Sequence, residues 1–203
     1  MDTIRLVLGV GVVVIVPVVL AFWLTIHGGA RLWRRLPMAA AYSTALGAMV
    51  AVAGLAIWQR TFLLGTDLGW NSVLFAMGAA IYGASFLLWR PIKKALSFST
   101  FAGVPEVSGK PIPLITEGPF RLVRHPRYLM VLVGILGWCL MANYFGVYLL
   151  GVLSLIGLWL VVQLEERDLR VRFGKAYTVY AREVPQLFPT PQSLAAYRSR
   201  ADR

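Results

Sequence analysis

Long runs without a charged residue are the main constraint on this chain. Residues 6–26, 38–58 and 69–89 contain no Asp, Glu, Lys or Arg, and each is long enough, at about 1.5 Å per helical residue, to cross about 30 Å of hydrocarbon. A fourth run, 128–164, would extend about 55 Å as one helix. That is too long for an ordinary crossing, so it reads as a hairpin of two spans. The turn is expected at Ala142-Asn143-Tyr144-Phe145-Gly146, where Asn143 and Gly146 supply turn chemistry and the rings suit an interface. Pro17 inside the first run suits a kink, because neighbouring helices can satisfy the freed carbonyl. That run has no convincing small-residue cleavage site and is read as a retained span.

The expected fold is therefore an all-α integral membrane helical bundle of about five transmembrane helices. The chain is 58% hydrophobic and only 14% charged, with a mean hydropathy of +0.68, whereas charged residues make up about a quarter of an ordinary soluble domain. Cys139 is the single cysteine, which excludes an internal disulfide, and the two histidines, His27 and His125, form no recognisable zinc set.

A net charge of +11 would suit nucleic acid if it formed one soluble face, but apolar runs separate the cations, and that partner is excluded. Of the twenty Lys and Arg residues, three fall in 27–37, seven in 90–127 and eight in the tail from 165, which ends with Arg198, Arg200 and Arg203. Five spans place these three segments on one side. By the positive-inside rule that side is cytoplasmic, the N-terminus is outside and the C-terminus inside. Most of these cations need no role beyond topology and headgroup contact. The expected setting is the inner membrane of a prokaryote.

The chain divides into three spans over 1–90 and a core over 91–203, forming one structural domain. Segment 91–127, broken by Gly103, Pro105, Gly109, Pro111, Pro113, Gly118 and Pro119, is expected to be an irregular interfacial loop. Beyond the last span, Leu169, Phe173, Tyr177 and Tyr180 recur at helical spacing, which predicts a short amphipathic helix on the inner surface before Pro185.

Two features stand out from the topological charge. Pro126 suits the first position of the fourth span, and Arg121, Arg124, His125 and Arg127 surround that helix start, whose free N–H groups and partial positive charge make it an anion site. At the inner end of the fifth span lie Glu165 and Glu166, two carboxylates at the negative end of a helix and close to a bilayer. The hairpin returns both features to one membrane level. They form either a structural ion pair or a pocket for a zwitterion, with the ligand carboxylate at the helix start and its ammonium at the glutamates.

The segments Gly118-Pro119-Phe120-Arg121, Val123-Arg124-His125-Pro126-Arg127-Tyr128, Glu165-Glu166, Phe173-Gly174-Lys175-Ala176-Tyr177, Tyr180 and Val184-Pro185, in this order, resemble the integral-membrane methyltransferases of the isoprenylcysteine carboxyl methyltransferase and phospholipid methyltransferase superfamily. The resemblance covers about residues 105–190. It implies S-adenosylmethionine as methyl donor, with S-adenosylhomocysteine as product, and a lipophilic acceptor that meets the donor at the inner interface. It further implies that Arg124, His125, Pro126, Arg127, Tyr128 and Glu165 line the cofactor site, joined by Leu114, Ile115 and Phe120 through backbone or ring surface.

An amine or thiol acceptor must lose a proton, and Glu166 or Tyr128 is the expected acceptor of it, through water. Two positions depart from the family pattern. Val161 stands where the isoprenylcysteine enzymes carry an arginine for the substrate carboxylate, and Met130 stands where glycine is frequent, a replacement expected to narrow the cleft. Two other classes stay open on the residues alone: an NADPH-dependent reductase of the sterol-reductase type, whose asparagine position is Arg127 here, and a non-enzymatic lipid-binding membrane protein.

Overall fold

A computed structural model describes residues 1–201, with side chains through Tyr197. The side chains of Arg198 and Arg200, and all of Arg203, lie outside the described residues. In chain order the helices are α1 (Asp2–Gly28), α2 (Ala30–Trp33), α3 (Met38–Trp58), α4 (Arg60–Leu64), α5 (Ser72–Ala95), α6 (Phe98–Phe101) and α7 (Val104–Ser108). A 3-10 turn, η1 (Gly118–Arg121), then precedes α8 (Pro126–Ala142), α9 (Phe145–Glu183) and α10 (Pro191–Ala201). Helices α1, α3, α5 and α9 are long and apolar enough to cross a membrane. Helix α8, with 17 residues, covers about 25 Å and completes the hairpin.

Expected span and helix agree residue for residue at 38–58 and differ at the ends of the others. Helix α1 starts earlier, at Asp2, whose carboxylate suits the positive end of a helix dipole, and continues through Pro17. Helix α5 starts where the Asn71 side chain accepts from the N–H groups of Val73 and Leu74 at 3.0 Å. It runs past Trp89 because Lys93 and Lys94 favour the negative end of its last turn. At the hairpin, Asn143 closes α8 in the left-handed region, with φ 55°, a conformation asparagine tolerates better than most residues.

The core lies between α1, α8 and α9. Val12, Val13, Val16 and Trp23 meet Tyr128, Ile135 and Cys139 on one side and Leu158, Val161 and Val162 on the other. Large apolar side chains on the outside, among them Leu46, Val50, Phe86, Leu87, Val152, Ile156 and Trp159, are exposed, as expected where lipid rather than water covers the surface. The bundle is therefore an integral-membrane one.

Close packing of α5 on α8 depends on paired glycines. A Cβ added at Gly137 would fall 2.6 Å from both the Gly78 carbonyl oxygen and the Tyr82 backbone nitrogen, so only small residues let these backbones approach. Gly137→Ala is expected to cost about 1–3 kcal/mol by forcing the helices apart. A lower thermal midpoint in detergent than for Gly83→Ala, which meets nothing within 4 Å, checks this.

The two cations outside the basic segments have separate explanations. Arg60 is exposed on α4. Arg5 is 1% exposed and clamps the end of the bundle opposite the basic loops: Nε donates to Ala142 O at 3.2 Å, and Nη2 donates to Asn143 O at 3.1 Å and to the Asp67 carboxylate. This ties α1 to the hairpin turn and to the loop before α5.

The amphipathic stretch after the last span is helical, and a kink at Gly174 sets its last turns off as a short helix. Helix α9 continues out of the span to Gly174, which adopts φ 53° and ψ −121°, a backbone open to glycine and strained for other residues. The chain bends there, and the last helical turns carry Tyr177 and Tyr180 back onto the bundle, where both are buried.

Candidate active site

The start of α8 is fixed by the chain that follows α9. The N–H of Arg124 donates to Pro185 O at 2.9 Å and that of His125 to Gln186 O at 3.1 Å. The Arg124 side chain caps the end of α9, donating from Nη1 to Ala181 O at 2.9 Å and Val184 O at 2.5 Å. The Val184-Pro185 motif is thereby explained, since it pairs with the backbone just before α8. Arg121, expected at the helix start, instead faces Glu117 at 3.1 Å on the exposed η1 turn and lines no cleft.

The adjacent glutamates have different environments. Glu166 is 2% exposed and has both carboxylate oxygens partnered. Oε1 accepts from Arg124 Nε at 2.8 Å and Tyr177 Oη at 2.9 Å and lies 3.1 Å from His125 Nε2, and Oε2 accepts from Arg170 Nη2 at 2.9 Å. Glu165 faces the other way. Its Oε2 accepts from Arg127 Nη2 at 3.4 Å and lies 3.8 Å from His125 Nδ1 and 3.9 Å from His27 Nε2, and its side chain retains 18% exposure. Both glutamates are therefore ion-paired, Glu166 as a buried carboxylate with Arg124 and Arg170 and Glu165 as a partly exposed one with Arg127.

Two connected polar clefts open beside Glu165. One, with about 390 Å³ of free space, is lined by Trp23, His27, Leu96, Thr100, Glu106, Phe120, Arg124, His125, Pro126, Arg127, Tyr128 and Glu165. The second, about 500 Å³, shares Leu96, Thr100, Glu106, Phe120, Arg124 and Glu165 and extends to Leu114, Ile115, Arg172, Tyr177 and Tyr180.

The structure brings all nine expected cofactor residues to this wall: Leu114, Ile115, Phe120, Arg124, His125, Pro126, Arg127, Tyr128 and Glu165. Tyr128, one of the two expected proton acceptors, lies in it as well. Its hydroxyl accepts from Arg127 Nη2 at 2.8 Å and lies 3.4 Å from His27 Nε2. Glu166, the other, lines neither cleft.

Sequence reasoning missed His27, Glu106 and Trp23. The His27 ring stacks on Trp23, with centroids 5.3 Å apart, and the Arg127 guanidinium sits 4.0 Å from the centroid of the same indole, a favourable cation–π distance. Three buried polar atoms here have no hydrogen-bond partner: His27 Nδ1, Glu106 Oε2 and Arg172 Nη2. Such atoms are costly unless something satisfies them. Burial, reinforced by the carboxylate of Glu165, pushes the Glu106 carboxyl above the ordinary carboxylate range.

On the apolar side of Trp23, Arg127 and Tyr128, a groove of about 1080 Å³ runs along Val19, Phe22, Met49, Phe98, Phe101, Met130, Val131 and Leu158. A further groove of about 950 Å³ shares Val19, Met130, Val131 and Leu158 and extends between α1, α5 and α8 to Tyr82, Phe86 and Trp138. Met130, expected to narrow the cleft, lies along both apolar grooves. Val161 is fully buried in the core, so no side chain supplies a cation at that position.

Residues 71–176 match the family model for phospholipid methyltransferase. Over 86 residues the chain is 36% identical to the cobalt-zinc-cadmium resistance protein CzcN of Cupriavidus metallidurans, covering 42% of this chain and 38% of that protein. Over 95 residues it is 35% identical to methanethiol S-methyltransferase 2 of Bradyrhizobium diazoefficiens, covering 46% of this chain and 34% of that protein. The chain thus spans little more than a third of the curated relatives it matches. No solved structure matches it. The matched region takes in α5, the loop with its cleft-lining residues, α8 and α9 as far as the bend, more than half of the 203 residues, and on that extent the chain belongs to the phospholipid methyltransferase family.

Proposed function

We infer that the protein is an S-adenosylmethionine-dependent methyltransferase that acts on a lipidic or hydrophobic acceptor where the polar clefts meet the apolar groove. The carrying observation is the partly exposed carboxylate of Glu165 set against Arg127 and His125 at the start of α8 and His27 at the end of α1. This is a two-signed site suited to a ligand bearing both an ammonium and a carboxylate. The unpartnered atoms of His27 and Arg172 support the same reading, because a polar ligand would satisfy them. The relative named for methanethiol S-methylation adds methyl transfer to sulfur as one chemistry the family supports.

When bound, the donor supplies an activated methyl group on a positively charged sulfur, which needs no metal for an in-line displacement. The chain's contribution is placement and exclusion of water. Glu165 holds the cationic part of the donor, and Arg127 with the N-terminus of α8 faces the anionic part. Arg127, stacked on Trp23, borders the polar cleft and the apolar groove alike. Glu166, held on four sides, positions His125, Arg124 and Tyr177 and thereby the wall of the cleft. The basic loops support an orientation with this end of the bundle at the cytoplasmic face, in what we propose is the inner membrane of a prokaryote.

Calorimetry on the purified protein in detergent tests the reading. S-adenosylhomocysteine is expected to bind and NADPH not to. Binding of NADPH alone would instead support the reductase class, and binding of neither the lipid-binding one. Transfer of labelled methyl from S-adenosylmethionine into a membrane-lipid extract then identifies the acceptor.

A further inference from the structure

One carboxylate oxygen in the cleft has no assigned task. Glu106 is 6% exposed. Its Oε1 accepts from Arg172 Nη1 at 3.4 Å, while Oε2 is buried and unpartnered. Helix α7 is a single short segment between Gly103 and Gly109, whose φ angles of 79° and 67° are left-handed values that favour glycine. This turn brings Glu106 under the indole of α1: a Cβ built on Gly103 would lie 3.7 Å from Glu106 Oε2 and 3.7 Å from Trp23 Cζ3. Trp23 borders both the polar cleft and the apolar groove. Oε2 therefore stands where a polar head carried on an apolar body would end.

The other candidate proton acceptors are engaged. Both oxygens of Glu166 are partnered, the Tyr128 hydroxyl accepts from Arg127, and Glu165 is shared among Arg127 and both histidines. The charged and titratable groups around Glu106 are His27 from α1, Arg34 after α2, Tyr42 from α3, Arg127 from α8, and Glu165, Asp168 and Arg172 from α9. Arg34 meets the Glu106 carbonyl and pairs with Asp168. That leaves Arg172 as the cation on the carboxylate. The raised affinity of Glu106 for a proton suits a group that takes one up during turnover.

We propose that Glu106 is a catalytic residue, the proton acceptor for a thiol or amine acceptor whose apolar body lies in the groove. The proposal rests on the methyl-transfer reading. The acceptor atom forms its new bond to the methyl carbon, and the sulfonium carbon–sulfur bond breaks with its electron pair left on the donor sulfur. The proton released by the acceptor passes to Oε2 of Glu106.

Infrared titration of the full chain in nanodiscs gives a readout free of turnover. A protonated-carboxyl band titrating above the ordinary carboxylate range, present in wild type and absent in Glu106→Gln, is expected, and its absence in wild type overturns the proposal. With S-adenosylmethionine and decanethiol as the probe pair, Glu106→Gln should lower kcat about 100-fold or more. It should also remove the acidic limb of the pH profile and leave KM and S-adenosylhomocysteine affinity within about twofold. Glu106→Asp, which keeps a carboxylate, should retain the limb.

Unchanged kcat, loss of S-adenosylhomocysteine binding in a folded Glu106→Gln, or an acidic limb that disappears only in His27→Gln each overturns the assignment. Failure of the wild-type protein to bind S-adenosylhomocysteine defeats the methyl-transfer reading itself, whatever the carboxyl band does.

Discussion

Glu165→Gln is expected to weaken S-adenosylhomocysteine binding by about 10- to 100-fold, the loss that corresponds to about 1.5–3 kcal/mol for a hydrogen bond to a charged group. The substitution keeps the side-chain volume and removes only the charge. Folding should be nearly unaffected, because Arg127 keeps its contacts with the Tyr128 hydroxyl, the Phe101 carbonyl and the Trp23 ring, and Glu165 is the partly exposed member of the glutamate pair. Calorimetry gives the affinity and a thermal midpoint in detergent gives the stability. Wild-type affinity in a folded Glu165→Gln protein would remove the cofactor role of this carboxylate.

The same contrast shows what could be read before any coordinates. A run of uncharged residues translates directly into a span, because the bilayer sets one length scale and helix rise sets the other. The hairpin was legible for the same reason, and it carried the site with it: once 128–164 folds back, Glu165 must return to the level of Arg127. Leu114, Ile115 and Phe120 were reached only through resemblance, since no periodicity or spacing in the irregular loop points to them.

His27 and Glu106 were not reached at all. Each is isolated in sequence, and each enters the cleft through packing of α1 and α7 against helices more than fifty residues away. Weak signals existed. His27 is one of two histidines and follows the first uncharged run, and Glu106 is one of two acids in segment 90–127, beside seven cations. The sequence left Tyr177 and Tyr180 open between a membrane-anchored tail and a lid over the site, because periodicity shows that a helix has an apolar face without saying what covers it. The bend at Gly174 makes that covering surface the cleft rather than the membrane.

Glu166→Ala has the largest expected effect on stability, about 3–5 kcal/mol, because it strips the common partner from a buried charged cluster. Arg124 and His125 lose their carboxylate inside the protein, and the Tyr177 hydroxyl loses its acceptor, so the bent end of α9 is no longer held to the start of α8. Arg170 matters less, since its side chain is 61% exposed and water replaces the lost contact. Tyr177→Phe, which removes one hydrogen bond and leaves the ring, should cost only about 1 kcal/mol. Thermal midpoints in detergent rank the three variants, with Glu166→Ala lowest, then Tyr177→Phe, then Glu165→Gln close to wild type. Ligand affinity should follow a different order, with Tyr177→Phe near wild type and Glu165→Gln the weakest among variants that stay folded. Adjacent glutamates that exchanged places in these two rankings would mean that the open and closed faces of α9 had been assigned the wrong way round.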